Sequence, residues 1–145
     1  MTAKVSTGLR DAVLGSSSLK AALALGFLRI FSGAAPADAD AAETGTLLCV
    51  VSDNSAGTGL NYGVSASGVL PKDPSQVWSG NNLATGTAGY FRLVGTSDTG
   101  VLSTTQPRIQ GTIGTVSADL VLSSTNLVAL APLVIDAGNI TLPSA

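Results

Sequence analysis

The chain has 145 residues, of which 45% are hydrophobic and only 11% charged, and its net charge is −2. That is enough for one domain with a real core and too little for two, and charge so sparse suits a surface that becomes buried in an assembly. The seven basic residues are scattered and the aromatic ones number six (one Trp, two Tyr, three Phe), which argues against a nucleic-acid platform; histidine is absent and Cys49 is the single cysteine, which excludes Ser-His-Asp or Cys-His catalysis, a histidine metal site and an intrachain disulfide.

In chain order, residues 1–26 read as a helical N-terminal arm in two pieces. Ser6 or Thr7 caps the first, which aligns Leu9, Ala12 and Val13 on one face and turns Arg10 and Asp11 away. Gly15 and Ser16-Ser17-Ser18 break it, and the serines cap a second piece over 19–25, with Leu19, Ala22 and Leu23 aligned and Gly26 as the stop. Helices this short need a partner surface, either their own sheet or another subunit, and the arm is the candidate extension that reaches a neighbour.

From residue 27 the pattern changes to period two, and 27–145 reads as a single β-sandwich domain. Strands are expected over 27–31, 46–51, 62–70, 90–94, 108–113, 116–122, 127–131 and 134–142, separated by small polar turns. About eight short strands with no alternating helices predict a mainly β fold, an antiparallel β-sandwich or barrel with a short helical N-terminal segment. The expected core includes Phe31, Cys49, Trp78, Phe91, Ile109 and Ile113.

Residues 25–51, LGFLRIFSGAAPADADAAETGTLLCVV, also carry the outline of a signal peptide: an apolar run, then small residues. Arg29 interrupts that run, and no apolar stretch reaches the roughly 20 residues that span a bilayer. Pro36 opens a punctuated acidic loop and Gly45 closes it, so a strand–loop–strand unit that is not cleaved is the expectation.

No catalytic constellation is legible. Most carboxylates sit in turns; Asp119 and Asp136 read as solvent-facing strand positions. The loop from Asp53 to Gly59 lacks the acidic positions of a calcium loop, and Lys4, Lys20 and Lys72 have exposed contexts that do not activate a serine. The expectation is a protein that is not an enzyme, with no cofactor and no metal. Arg29, Arg92 and Arg108 fall on the polar phase of their strands. Simple solvation would explain them; the functional reading places them at an interface, paired across subunits with Asp38, Asp40 and Glu43, beside the arm residues Leu9, Arg10, Val13, Leu19 and Leu23.

Several stretches together resemble a family of small structural virion proteins of tailed bacteriophages, of decoration or cement type. They are Ser6-Thr7-Gly8-Leu9-Arg10, Leu28-Arg29-Ile30-Phe31-Ser32-Gly33 with Pro36 and Ala39-Asp40-Ala41-Ala42, Gly45-Thr46-Leu47-Leu48, Trp78, Ala84 through Arg92, and Pro107 through Ile113. The resemblance runs in order over most of the chain. It implies a part made in the host cytoplasm and placed on the capsid surface of the virion, where it bridges subunits of the major capsid protein as a homotrimer. Neither nucleic acid nor membrane is an expected partner, given the scattered basic residues and the short apolar runs. A tail, baseplate or receptor-binding component is the alternative; an exported adhesin is a third.

Overall fold

Two serines start the helices. A computed structural model of the protein describes residues 3–142, and in it Ser6 Oγ accepts the Leu9 N–H at 3.1 Å to open α1 (Thr7–Gly15). Ser18 Oγ does the same for the Ala21 N–H at 3.1 Å, opening α2 (Leu19–Leu23). Beyond Gly26 the chain is β-structured: β2 (Phe27–Ser32), β3 (Leu47–Asp53), β4 (Val69–Leu70), β5 (Trp78–Asn81), β6 (Gly86–Val94) and β7 (Arg108–Gly114), then β8 (Leu120–Val121), β9 (Asn126–Leu127), β10 (Pro132–Val134) and β11 (Ile140–Thr141). A short β1 (Lys4–Val5) precedes α1.

The main sheet runs in the order β1-β7-β6-β2-β3-β5-β10, with β8 added in parallel on β7 and β9 on β6. A separate pair joins β4 to β11. The fold is therefore mainly β and antiparallel with a short helical start, as expected, and the sheet is open, which rules out the closed-barrel form.

Several expected strands are shorter than the alternation suggested, and backbone geometry explains why. Ser67, Ser117 and Leu130 take left-handed conformations, with φ of 50°, 50° and 70°. Each turns the chain inside a stretch read as continuous strand, so 62–70, 116–122 and 127–131 shrink to two-residue pieces. Asp119 accordingly lies in a bend, where its carboxylate accepts from the Thr112 N–H (2.9 Å) and hydroxyl (3.1 Å); Asp136 is exposed but outside any strand.

The N-terminal segment is not a free arm. β1 pairs with β7 through Lys4↔Gln110 and Val5↔Ile109, and Leu9 and Leu23 are fully buried within the chain's own core. Their apolar faces are consumed by the sheet that follows, the nearer partner for a helix too short to be stable alone. Arg10, Leu14 and Lys20 stay on the surface, and so does the half-exposed Val13, which was expected on the apolar face beside Leu9.

The three central strands, β2, β6 and β7, present two chemically different faces. Leu28, Ile30, Phe91, Leu93, Ile109 and Ile113 share one face, which joins Cys49, Val51 and Trp78 in the main core. All six expected core residues are buried, although Phe31 lies on the opposite face, stacked on Tyr90 with ring centroids 4.9 Å apart. Cys49 is a packed core residue whose thiol burial pushes up to about 11, so it stays protonated and inert at neutral pH.

A bulge sets where β2 leaves the sheet. Phe31 pairs with Tyr90 but Ser32 with Ala88, so Gly89 is left without a partner. A Cβ at Gly89 would sit 1.9 Å from the Gly33 carbonyl oxygen, a backbone atom that cannot yield without moving the chain. Gly89→Ala should therefore cost about 1–3 kcal/mol by overpacking. Urea unfolding of the two proteins checks this, and an unchanged midpoint would refute it.

Candidate functional site: an arginine layer and an apolar cleft

The second face of β2, β6 and β7 carries the arginines. Cross-strand register places Arg29 opposite Arg92, Arg92 opposite Gln110, and Val94 opposite Arg108, so the three guanidinium groups share one side of the sheet. Two loops close over it. The first, 33–46, is the acidic loop; the second, 95–107, joins β6 to β7. They are tied to one another by Glu43 N–H to Gly100 C=O (2.8 Å) and Ser103 N–H to Asp40 C=O (2.9 Å).

Arg108 has no exposed surface and uses its whole fork. Nε and Nη2 clamp the Asp98 carboxylate, Nη2 also donates to the Val101 carbonyl (2.6 Å), and Nη1 spans the carbonyls of Ala39, Asp40 and Ala41 at 3.2–3.3 Å. Arg92, equally buried, donates to Gln110 Oε1 and to the Ala41 carbonyl (2.8 Å), and Gln110 in turn donates to the Pro36 carbonyl (2.9 Å). Arg29 forms a half-buried ion pair with Glu43 (2.8 Å) and donates to the Asp98 carbonyl (2.6 Å). The first loop is thus held mainly by guanidinium and amide donors gripping its backbone carbonyls.

This corrects the interface expectation. Arg29, Arg92 and Arg108 pair within their own chain, Arg29 with the predicted acid Glu43 and Arg108 with Asp98. Period-two alternation reports which residues share a face, and it carries no information about a loop that later covers that face. Asp40 is also spent internally: its carboxylate accepts the Thr7 N–H (2.8 Å) and hydroxyl (2.6 Å), fixing the start of α1. The Thr7 hydroxyl holds its pKa below the ordinary value, with help from the Thr7 N–H and the charges of Arg10 and Arg108 against the opposing effect of burial. Asp38 is exposed and caps the Ala41 N–H (2.8 Å); Leu19 is partly buried against the core.

Asp98, Gln110, Tyr90 and Ser6 complete the layer, and sequence reasoning assigned none of them a role in it. Tyr90 OH donates to the Thr44 carbonyl (2.6 Å) and Ser6 Oγ accepts the Arg108 N–H (2.9 Å). Asp98 is legible as a turn residue, and it does accept the Gly100 N–H at 2.8 Å. Its pairing with Arg108 depends on where the loop returns, which no local pattern encodes.

The balance of charge in this layer sets an acid response. Burial alone would raise the Asp98 carboxyl, but the Arg108 guanidinium and the Gly100 N–H outweigh it and hold the pKa below the ordinary value. A depressed folded-state pKa contributes stability that is complete above about pH 5, shrinks as pH falls below about 4, and vanishes once the folded carboxyl itself protonates. Urea midpoints measured between pH 7 and pH 2.5 should fall in that window, and Asp98→Asn should flatten the fall. An equal slope in the variant would show that Asp98 is not the responsible group. For Arg92, burial and then the like charge of Arg108 push the guanidinium below its ordinary value.

On the opposite face lies a half-enclosed apolar cleft of about 650 Å³, between the sheet and the segment 135–142. Phe91, Leu93 and Ile109 form its floor, and Trp78, Ile135 and Ile140 its wall. Trp78 meets Tyr62 edge-on, centroids 5.5 Å apart, and donates from Nε1 to Gln76 Oε1 at 3.2 Å. Gly138 lies flat against the Trp78 ring, where a Cβ would come within 2.5 Å.

Among the described residues there is no group of three His, Cys, Asp or Glu side chains able to hold a metal ion, and no helix is long and apolar enough to cross a membrane. Comparison with protein-family models, with curated proteins and with solved structures found no match to this chain. The fold defines the class to which it can be assigned, an open antiparallel β protein with a helical start.

Proposed function

We propose that this chain is a structural protein of a tailed-phage particle, a decoration or cement protein that binds the outside of the capsid shell and bridges capsid subunits. The observation that carries the reading is the surface. Leu83, Val128 and Leu130 are 59–86% exposed, and Asn82, the neighbour of Leu83 in sequence, binds the 128–131 turn through both its backbone and its side chain. They adjoin β10, the open edge of the sheet. A concentrated aliphatic patch on a chain with 11% charge suits a surface that is covered in use. The two loops clamped onto the arginine layer supply the stiffness that a bridging part needs. The ordered likeness to small virion proteins gives the patch its proposed partner, the major capsid protein. Self-association as a homotrimer through cyclic symmetry would bury more of the same low-charge surface.

The test is to locate the chain in an electron-microscopy map of the particle and to heat shells prepared with and without it. A cement protein decorates the shell in stoichiometric amounts, and its loss lowers the temperature of shell disruption. Leu83→Asp combined with Leu130→Asp should abolish shell binding while leaving the fold intact by circular dichroism. Density confined to one end of the particle would overturn the proposal in favour of a tail or receptor-binding component.

A further inference from the structure

We infer that the outer edge of β1 and the apolar cleft beside it form a docking site for one extended segment of a partner protein, a strand in which every second residue is apolar. β1 stands at one end of the strand order, with β7 as its neighbour. The register shows what its outer side offers. Ser6 N–H bonds to the Arg108 carbonyl (3.0 Å) and Lys4 pairs with Gln110, so Val5 between them turns its own N–H and C=O away from β7. Among the described residues those two groups meet no partner. β8 continues the same edge of β7 beside Ile113 and Gly114. A strand edge left in this state is a template for another strand.

The cleft specifies what that strand carries. Val5 lies opposite Ile109, so its side chain shares the core face, and both residues line the cleft with Phe91 and Leu93. A residue pairing with Val5 from outside would point its side chain to the same face, into the cleft, as would the residues two places before and after it. At about 650 Å³, between that floor and the wall of Trp78, Ile135 and Ile140, the cleft has room for more than one such side chain. A second copy of this chain is the poorer occupant. Its β1 offers only Ala3 and Val5 on that face before Ser6 caps α1. Its β10, at the far end of the order, packs Leu133 against its own core and carries Pro132, which has no N–H to donate. The inference does not depend on the phage assignment.

The probes are two libraries of synthetic nonapeptides with one composition, Thr and Lys with Leu, Val and Phe. In the first the apolar residues occupy every second position; in the second they follow helical spacing. The first should yield peptides that saturate at one per chain and shift the emission of Trp78, the only tryptophan, binding at least ten-fold more tightly than any from the second. Hydrogen exchange at the Val5 amide, followed by NMR, should slow at least ten-fold in the complex. Val5→Pro removes the outward N–H without touching a bond to β7, a change that edge strands tolerate, and should weaken binding at least ten-fold. If Val5→Pro does not fold, the exchange measurement on the unaltered chain decides. Leu130→Ser, on the separate aliphatic patch, should leave binding unchanged. The inference is overturned by the absence of saturable binding, by equal binding of the two libraries, by a folded Val5→Pro that binds as before, or by loss of binding in Leu130→Ser. Binding that leaves exchange at Val5 unaltered would overturn it as well, since the cleft would then be filled without its edge. Sedimentation showing that the peptide dissociates a dimer would do the same, the occupant then being a second copy. None of these readouts involves the particle, so they stand or fall apart from the cement reading.

Discussion

Arg108→Met should destabilise the protein by about 3–5 kcal/mol, the cost of stranding a buried charge without its partner. Asp98, whose side chain is fully buried, would lose both donors of the Arg108 fork, and the carbonyls of Ala39, Asp40, Ala41 and Val101 would lose a common donor. That loss is a large part of the whole stability of a domain this size, about 5–15 kcal/mol. Arg108→Lys should recover little, because an ammonium group cannot clamp a carboxylate through two parallel bonds and also reach three carbonyls on the far side. The double variant Arg108→Met, Asp98→Leu should recover much of the single-variant loss, since it removes the unpaired charge along with its partner. Urea unfolding of the four proteins measures all of this. A double variant no more stable than Arg108→Met alone would show that anchoring of the loop carbonyls, and not the stranded carboxylate, dominates.

The second large effect is expected at Trp78. Trp78→Ala should cost about 3–5 kcal/mol, the range for removing a buried aromatic side chain. The ring is 2% exposed, it is the edge-on partner of Tyr62, and it is the surface against which Gly138 rests. Its removal enlarges a cleft that is already open, so the site has little means of collapsing to recover contacts. Trp78→Phe should cost distinctly less, keeping an aromatic contact to Tyr62 and losing the Nε1–H bond to Gln76. Circular dichroism in urea is the suitable measurement, because the variants lack the fluorophore. Equal losses in the two variants would mean that the hydrogen bond to Gln76, which also accepts the Asn61 N–H at 2.7 Å, outweighs ring packing.

Both predictions concern residues that the sequence singled out, but with different success. Trp78 was legible because a lone large aromatic beside a turn has one economical place to go, the core. The arginines were legible as a set on one face and illegible as buried. The aliphatic patch near β10 is a harder case again: Leu83, Val128 and Leu130 are apolar in sequence like any core residue. The folded chain leaves all three exposed, and Leu130 sits in a left-handed turn with φ of 70°.

What the sequence determined by itself was local. Ser6 and Ser18 start the two helices, Gly26 marks the change of period, and the apolar alternation of β2, β6 and β7 sets which residues share the core face, because caps and periodicity act within a few residues. The tertiary structure alone decided what covers each face. The loop 33–46 folds back over Arg92 and Arg108 because two buried guanidinium groups require many acceptors, and its backbone carbonyls supply them. The helical start packs on its own sheet because that partner is covalently attached and always present. Such choices depend on residues brought together from 60 or more positions apart, as Arg108 is with Ala39 through Ala41, and no local pattern records them.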